Sequence, residues 1–242
     1  MMSLTRTVRR LRARTMSTVP YRGLDVPITG PHIIKNIIDE LMAGRYELPE
    51  IEALSRLMRP GDRVLEVGVG LGVVSGLAGK AVPDAQIECF EANPELIDPI
   101  RELHALNGLT NITLHNAILV RGPGGESRDF HLHRSFAEGS LIQTSGTVRT
   151  VQVPTVSFEE KLADFAPDIL VVDIEGGEDE LLSGLNLSGL RALVLELHPP
   201  VISRAAEARI HAACLAAGLY PRVELCSANV VAFETVDEGL KG

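Results

Sequence analysis

From residue 61 onward the chain alternates short apolar runs with longer amphipathic stretches, and few folds accept that alternation. The runs RVLEVG (63–68), QIECFE (86–91), ITLHNAI (112–118), DILVVDI (168–174) and RALVLEL (191–197) are nearly continuous in apolar residues, as strands covered on both faces must be. The segments between them, at 71–81, 94–107, 157–164, 177–184 and 203–217, carry helical periodicity. Strand and helix in succession build a parallel sheet with helices on both faces. Two last strands, 221–226 and 229–235, are separated only by a turn around Ser227 and Ala228, so they should pair as an antiparallel hairpin. The expected fold is an α/β, Rossmann-like, seven-stranded and mostly parallel sheet.

The first strand runs into a glycine-rich turn, VLEVGVGLG from Val64 to Gly72, and the second ends at Glu91. Gly68, Gly70 and Gly72 let the backbone turn tightly and approach a ligand, and a carboxylate at the end of the next strand can accept ribose hydroxyls. This points to a bound adenosine. A dinucleotide fold sets a pyrophosphate at such a turn under a G-x-G-x-x-G pattern. Here the pattern is E-x-G-x-G-x-G, and Glu66 would repel a pyrophosphate but suit the ammonium and sulfonium of S-adenosylmethionine. A parallel sheet closing in one reversed strand is likewise the class I methyltransferase arrangement.

With 242 residues, 45% of them hydrophobic, the chain can bury one full core. A net charge of −9 disfavours nucleic acid and anionic membrane as partners, and no apolar stretch is long enough to span a bilayer. Cys89, Cys214 and Cys226 sit in apolar runs without a zinc spacing, which suits buried thiols in a reducing, cytoplasmic compartment. Arg6, Arg9, Arg10, Arg12, Arg14 and Arg22 fall among serines and threonines, so residues 1–30 read as a mobile basic arm, with a mitochondrial presequence as the alternative. Residues 31–60 form a helical lead-in, with helices at 31–42 and 49–58, and 61–242 form the core domain.

Several separated segments carry a more specific likeness: YELPEIEALSRLMRPGDRVLEVGVGLG from Tyr46, CFEANPELIDPIRELHALNGLTNITLHNAIL from Cys89, DILVVDIEGGEDELLSGL from Asp168 and ALVLELHPP from Ala192. In these the chain resembles the FkbM family of S-adenosylmethionine-dependent methyltransferases, over most of residues 46–235. The D-x-E-G-x-E and E-x-H-P segments are the most telling. Glu66 and Val69 depart from the Asp and Ala usual in the family's glycine turn. The resemblance implies O-methylation of a sugar or secondary-metabolite hydroxyl. It also implies a cofactor site of Glu66, Gly68, Gly70 and Gly72 at the methionine portion, Glu91 with Ala92 and Asn93 at the ribose, and Asn116 and Ala117 at the adenine edge. Asn116 could equally satisfy only its own loop. Tyr46 and Glu47 would close over the cofactor.

The chemistry is expected beyond the ends of the fourth and fifth strands. Period-two alternation puts Asp173 and Glu175 on one face and Glu196 and His198 on one face, so four ionisable groups could converge near the transferred methyl. His198 or Asp173 would accept the acceptor's proton. Against this, Glu175 and Glu178 could merely charge a helix N-terminus and His198 could bond a loop. Asp173, Glu196 and His198 would suit a manganese- or magnesium-like ion, but their spacing does not fix a convergent geometry and no metal is assigned. His131 and His133 would project to one side of a strand as a packed or solvated face. The segment at about 121–154, with a turn at Gly122–Gly125, strands at 128–133 and 148–153 and a loop through Ser140 and Gly146, interrupts the rhythm. It should extend the sheet or fold over the cleft and help select the acceptor, a small molecule or glycoside that the sequence does not name. A nicotinamide-dependent oxidoreductase and a non-catalytic adenosine-binding module are the competing readings. DNA adenine methylation is disfavoured, because Asp-Ile-Glu-Gly replaces the Asn-Pro-Pro-Tyr type of segment. Nothing in the sequence sets the oligomeric state.

Overall fold

The computed structural model describes residues 17–29, 33–133, 146–199 and 201–236. It opens with a hairpin, β1 (Thr18–Tyr21) and β2 (Leu24–Pro27), followed by helices α1 (Lys35–Ala43) and α2 (Leu48–Leu57). Then come β3 (Arg63–Val67), α3 (Val73–Ala81), β4 (Gln86–Glu91), α4 (Ile97–Leu106) and β5 (Ile112–Asn116). The segment β6 (Ile118–Val120), β7 (Ser127–His133) and β8 (Thr147–Ser157) leads to α5 (Phe158–Phe165). The chain closes through β9 (Ile169–Val172), α6 (Glu178–Leu182), β10 (Ala192–Glu196), α7 (Arg204–Ala216), β11 (Leu219–Pro221) and β12 (Val230–Thr235).

The central sheet has seven strands in the order β11-β12-β10-β9-β3-β4-β5. Pairs β3–β4, β4–β5, β3–β9 and β9–β10 are parallel, and β12 runs antiparallel to both β10 and β11. Only β12 is therefore reversed, the mixed arrangement that the short final turn demands. Strand alternation sends Val64, Ile87, Cys89, Ile169, Val171 and Val194 to one face, under the hairpin and α1–α4. Leu65, Val67, Phe90, Leu170, Val172, Leu193 and Leu195 face the other way, under α5–α7. Both faces are covered, which is why the strands carry so little polar alternation. Cys89 and Cys214 are buried and Cys226 is half-buried; all three are free thiols.

Three expectations need correction. Residues 18–27, expected within a mobile arm, form an ordered hairpin whose Val19, Tyr21, Leu24 and Val26 are buried. Arg22 and Gly23 both take positive φ, 49° and 100°, the geometry of a two-residue hairpin turn. The arginines at 6, 9, 10, 12 and 14 lie outside the described residues. The single strand expected at 112–118 breaks at Ala117, and β6 leaves the main sheet to pair parallel with β8. The strand expected at 221–226 is displaced: β11 ends at Pro221, and Val223–Leu225 form a 3-10 turn before the bend at Ala228, φ 52°.

The 121–154 segment, with β6 before it and the end of β8 after it, builds a separate three-stranded sheet, β6-β8-β7. Its apolar side, with Ile118, Val120, Phe130, Leu132 and Val153, is buried. In β7, His131 is buried and its Nδ1 lies 2.9 Å from the Thr150 hydroxyl oxygen, while His133 Nε2 meets Thr147 at 3.3 Å. Both imidazoles are thus part of the strand pairing. Ser140 lies outside the described residues.

Candidate active site

Where β3 ends, Gly68 holds φ +81° and its backbone lies so near β9 that a Cβ would sit 1.7 Å from the Asp173 carbonyl oxygen. No side chain fits there, so the glycine is required by contact as well as by conformation. The turn continues through Gly70 to Gly72, which occupies the N-cap of α3 with φ +76°. Glu91 is folded back under this turn: its Oε2 accepts the Val69 and Gly70 N–H groups at 3.0 and 3.1 Å, and its Oε1 accepts Asn93 N–H at 2.7 Å. Burial raises its pKa while these N–H donors pull the other way. A carboxylate has about four lone-pair sites, so roughly one is left, on Oε1. Holding two ribose hydroxyls would therefore require displacement of a turn N–H.

A cavity of about 350 Å³ opens beside the turn. Gly68, Gly70, Glu91 and Ala92 form one wall, Phe90, Ala117, Leu119 and Leu181 give an apolar floor, and Ile118, Val120 and Phe130 come from the three-stranded sheet. Tyr46 and Glu47 close one side. Glu47, the N-cap of α2, holds a left-handed φ of 47°. Burial and the nearby Asp173 keep its carboxyl well above the ordinary range.

The acidic end of the cavity is assembled from parallel neighbours. The register Leu195↔Val172 sets the end of β10 beside that of β9, so Asp173 and Glu175 come up against Glu196 and His198. His198 Nε2 lies 3.7 Å from Asp173 Oδ1 and 3.5 Å from Glu175 Oε2. Its Nδ1 lies 2.5 Å from Oε1 of Glu178, which is fully buried. A carboxylate can only accept, so this contact holds the ring hydrogen on Nδ1. Burial lowers the basicity of His198, but Glu178, Glu175 and Glu196 outweigh it and hold the imidazole above its usual pKa. Burial, with Glu196, Glu50 and Glu175 adding to it, raises Asp173 well above the ordinary carboxylate range. Glu50 reaches the same cluster from α2 and is pushed up to about 7 by burial and by Glu196.

The sequence profile of the methyltransferase FkbM domain matches residues 49–211, which include the turn, the cavity walls and the acidic cluster. The chain belongs to the FkbM methyltransferase family. Membership makes it an S-adenosylmethionine-dependent methyltransferase. A search of curated proteins returns no match. Among solved structures, the chain is similar to a precorrin-6y C5,15-methyltransferase from Geobacter metallireducens, at 15% identity over 79% of this chain and 89% of that one, TM-score 0.47. It is also similar to a ribosomal protein L11 methylase from Lactobacillus delbrueckii, at 17% identity over 78% and 77% of the chains, TM-score 0.46. A third is Aeropyrum pernix fibrillarin bound to S-adenosylmethionine, at 12% identity over 76% and 73%, TM-score 0.42.

The FkbM chain brings most of its expected site residues together. Gly68, Gly70, Glu91, Ala92, Ala117, Asp173, Glu175 and Glu196, with Tyr46 and Glu47, line one cavity, and His198 stands behind its acidic end. Glu66 is the main departure. It shares a sheet face with Val64, is 2% exposed, and its Oε2 accepts the Cys89 thiol at 3.1 Å, away from the cavity wall. Burial pushes it up to about 7. A carboxyl so enclosed cannot select between a sulfonium and a pyrophosphate, so that part of the sequence argument does not carry the cofactor. Gly72 shapes the turn against Ile100 without lining the cavity, and Asn93 braces the loop, its Oδ1 accepting Glu95 N–H at 3.0 Å. Asn116 donates to the Glu91 and Ala92 carbonyls at 2.8 and 3.2 Å, so its amide serves the loop.

Two site residues were missed. Glu50 lies one and two turns before Leu54 and Leu57 on the buried side of α2, and a carboxylate on an apolar helical stripe was a legible sign. Glu178, weighed only as a charge at a helix N-terminus, does open α6 and in addition orients His198. The glycine turn, with no room for a Cβ at Gly68, and the apolar floor fit an adenosine cofactor in size and chemistry.

Proposed function

We propose that this cleft transfers a methyl group to a hydroxyl of a sugar or secondary metabolite. The observation that carries the reading is the junction of the glycine-walled apolar cavity with the Asp173, Glu175, Glu196 and His198 cluster at one end. S-adenosylmethionine supplies a carbon already activated by its sulfonium, so that an acceptor oxygen forms the new C–O bond while the C–S electron pair stays on sulfur. Gly68 and Gly70 of the turn, with Glu91, would hold the cofactor, and Phe90, Ala117 and Leu119 would flank its base. What remains for the chain is alignment and removal of one proton. Alignment alone accounts for about 7 to 11 kcal/mol in favourable intramolecular cases.

Asp173 and His198 are the proton acceptors of this reading. Burial and like charges raise the Asp173 carboxyl, and Glu178 fixes the orientation of the His198 imidazole, so either suits a hydroxyl proton better than an ordinary exposed carboxylate does. The β6-β8-β7 sheet supplies Ile118, Val120 and Phe130 to the cavity and thereby limits the acceptor's shape. The test is transfer of labelled methyl from S-adenosylmethionine to a panel of glycosides, polyols and phenols, followed with Asp173→Asn and His198→Ala. Turnover that falls while cofactor affinity holds supports the reading; a variant pair with unchanged turnover removes the cluster from the mechanism.

A further inference from the structure

We propose that Asp173, Glu196 and His198 form a binding site for one divalent cation of the manganese type at the acidic end of the cavity. The ion site deepens the reading of this cleft as the place of methyl transfer and rests on that reading for its role. An ion held there would occupy the Asp173 and His198 lone pairs assigned above to the proton and would instead acidify a bound acceptor hydroxyl, while its binding can be measured without that reading.

The ligand atoms offered by the three residues all lie within 4.8 Å of one another. A six-coordinate ion with bonds of about 2.1 Å spaces its ligand atoms roughly 3 to 4 Å apart, so side-chain rotations of about an ångström close the set. One imidazole with two carboxylates is a mixed donor set: magnesium prefers oxygen alone, thiolate-seeking ions want sulfur, and manganese accepts both donors present. The ligands stand on the ends of two parallel, hydrogen-bonded strands, which hold them at fixed separation.

The surroundings of the ligands supply two independent observations. Metal-bound imidazoles usually donate their second N–H to a carboxylate, which fixes the tautomer and leaves the other nitrogen's lone pair for the metal. Glu178, with no exposed surface, does this for His198 at 2.5 Å, and Nε2 is thereby turned toward Asp173 and the rest of the acidic cluster. Glu50, 5% exposed, reaches the cluster from α2, on the Glu196 side, and its Oε2 has no hydrogen-bond partner; nor has Glu178 Oε2. Among the described residues no lysine or arginine forms a salt bridge with Glu50, Asp173, Glu178 or Glu196. Carboxylates gathered at one place repel one another unless they retain protons or a cation sits among them; here Glu50 and Glu178 are buried, while Asp173 and Glu196 stay half-buried at the cavity. A divalent ion would take the place of those protons and keep ligand positions open toward the cavity for an acceptor oxygen.

The test is titration of the full chain with manganese chloride, followed by calorimetry and by pulsed electron paramagnetic resonance, with no acceptor added. The expected result is one bound ion with nitrogen hyperfine coupling from a directly ligated imidazole. His198→Ala should abolish that coupling. Glu178→Gln, a positioning residue, should weaken manganese binding about 10- to 100-fold while S-adenosylmethionine affinity and the far-ultraviolet circular dichroism stay unchanged. Absence of binding below about 1 mM in wild-type protein that still binds S-adenosylmethionine, or bound manganese without nitrogen coupling, overturns the ion site alone. Manganese bound with nitrogen coupling in a protein that does not bind S-adenosylmethionine would leave the ion site standing and remove the cofactor reading.

Discussion

Replacing Gly68 by alanine tests the close approach of β3 and β9 that shapes the cofactor turn. The added Cβ would lie 1.7 Å from the Asp173 carbonyl oxygen and 2.7 Å from its carbon. Carbon and oxygen in contact keep about 3.3 Å, so the strand ends must part by roughly 1.5 Å. That movement strains two ladder bonds, Asp173 N–H to Val67 at 2.9 Å and Gly68 N–H to Phe90 at 3.0 Å, each contributing about 1 kcal/mol net. The positive φ adds about 1 to 2 kcal/mol for an alanine. The whole comes to about 3 to 4 kcal/mol, or roughly 10 °C in the melting temperature of a chain this long. Gly61→Ala is the control: its φ is +79° but nothing lies within 4 Å, so it should lose only the conformational part. Thermal unfolding and calorimetric titration with S-adenosylmethionine read both effects. If Gly68→Ala melts no lower than Gly61→Ala and binds the cofactor as wild type does, the close approach and the site built on it are wrong.

Glu91→Ala should cost both stability and cofactor affinity, because it strands the Val69, Gly70 and Asn93 N–H groups, and hydrogen bonds to a charged acceptor contribute about 1.5 to 3 kcal/mol each; a variant of unchanged melting temperature would show that the carboxylate does not hold the turn. Asp173→Asn and His198→Ala should lower kcat far more than they alter cofactor Kd, as steady-state kinetics beside titration would reveal. Glu66 carries a folded-state pKa of about 7 against an ordinary 4.5. A raised carboxyl pKa contributes stability that is full below 4.5 and is lost as pH rises through 7, about 3 kcal/mol across that window. Denaturant titrations of Glu66→Gln from pH 5 to about 8 should therefore lose less stability than wild type; parallel pH profiles would place Glu66 in contact with solvent.

The parallel core was legible because strands buried on both faces have almost no polar residues to spare, as LVV at 170–172 and LVL at 193–195 show. The hairpin at 18–27 was not, because Val19, Tyr21, Leu24 and Val26 alternate within a short span next to an arginine-rich segment, and composition outweighed period. The Ala117 break was hidden for a different reason: ITLHNAILV reads as one strand, and only tertiary pairing of β6 with β8 divides it. In the site, alternation set Asp173 with Glu175 and Glu196 with His198 on shared faces, but it is the pairing of β9 with β10 that brings the four together. Glu66 was misplaced even though alternation was informative, since it shares parity with Val64 and so faces the side opposite Leu65 and Val67. The pairing of Glu178 with His198 crosses from the first residue of α6 to the loop after β10 and left no pattern in the chain.

The central claim is a cleft built for an adenosyl sulfonium, and parallel isothermal titration of the purified protein with S-adenosylmethionine, S-adenosylhomocysteine and NAD addresses it without knowledge of the acceptor. The account predicts saturable heat from the first two and none from NAD. NAD binding with no response to either S-adenosyl compound would contradict it.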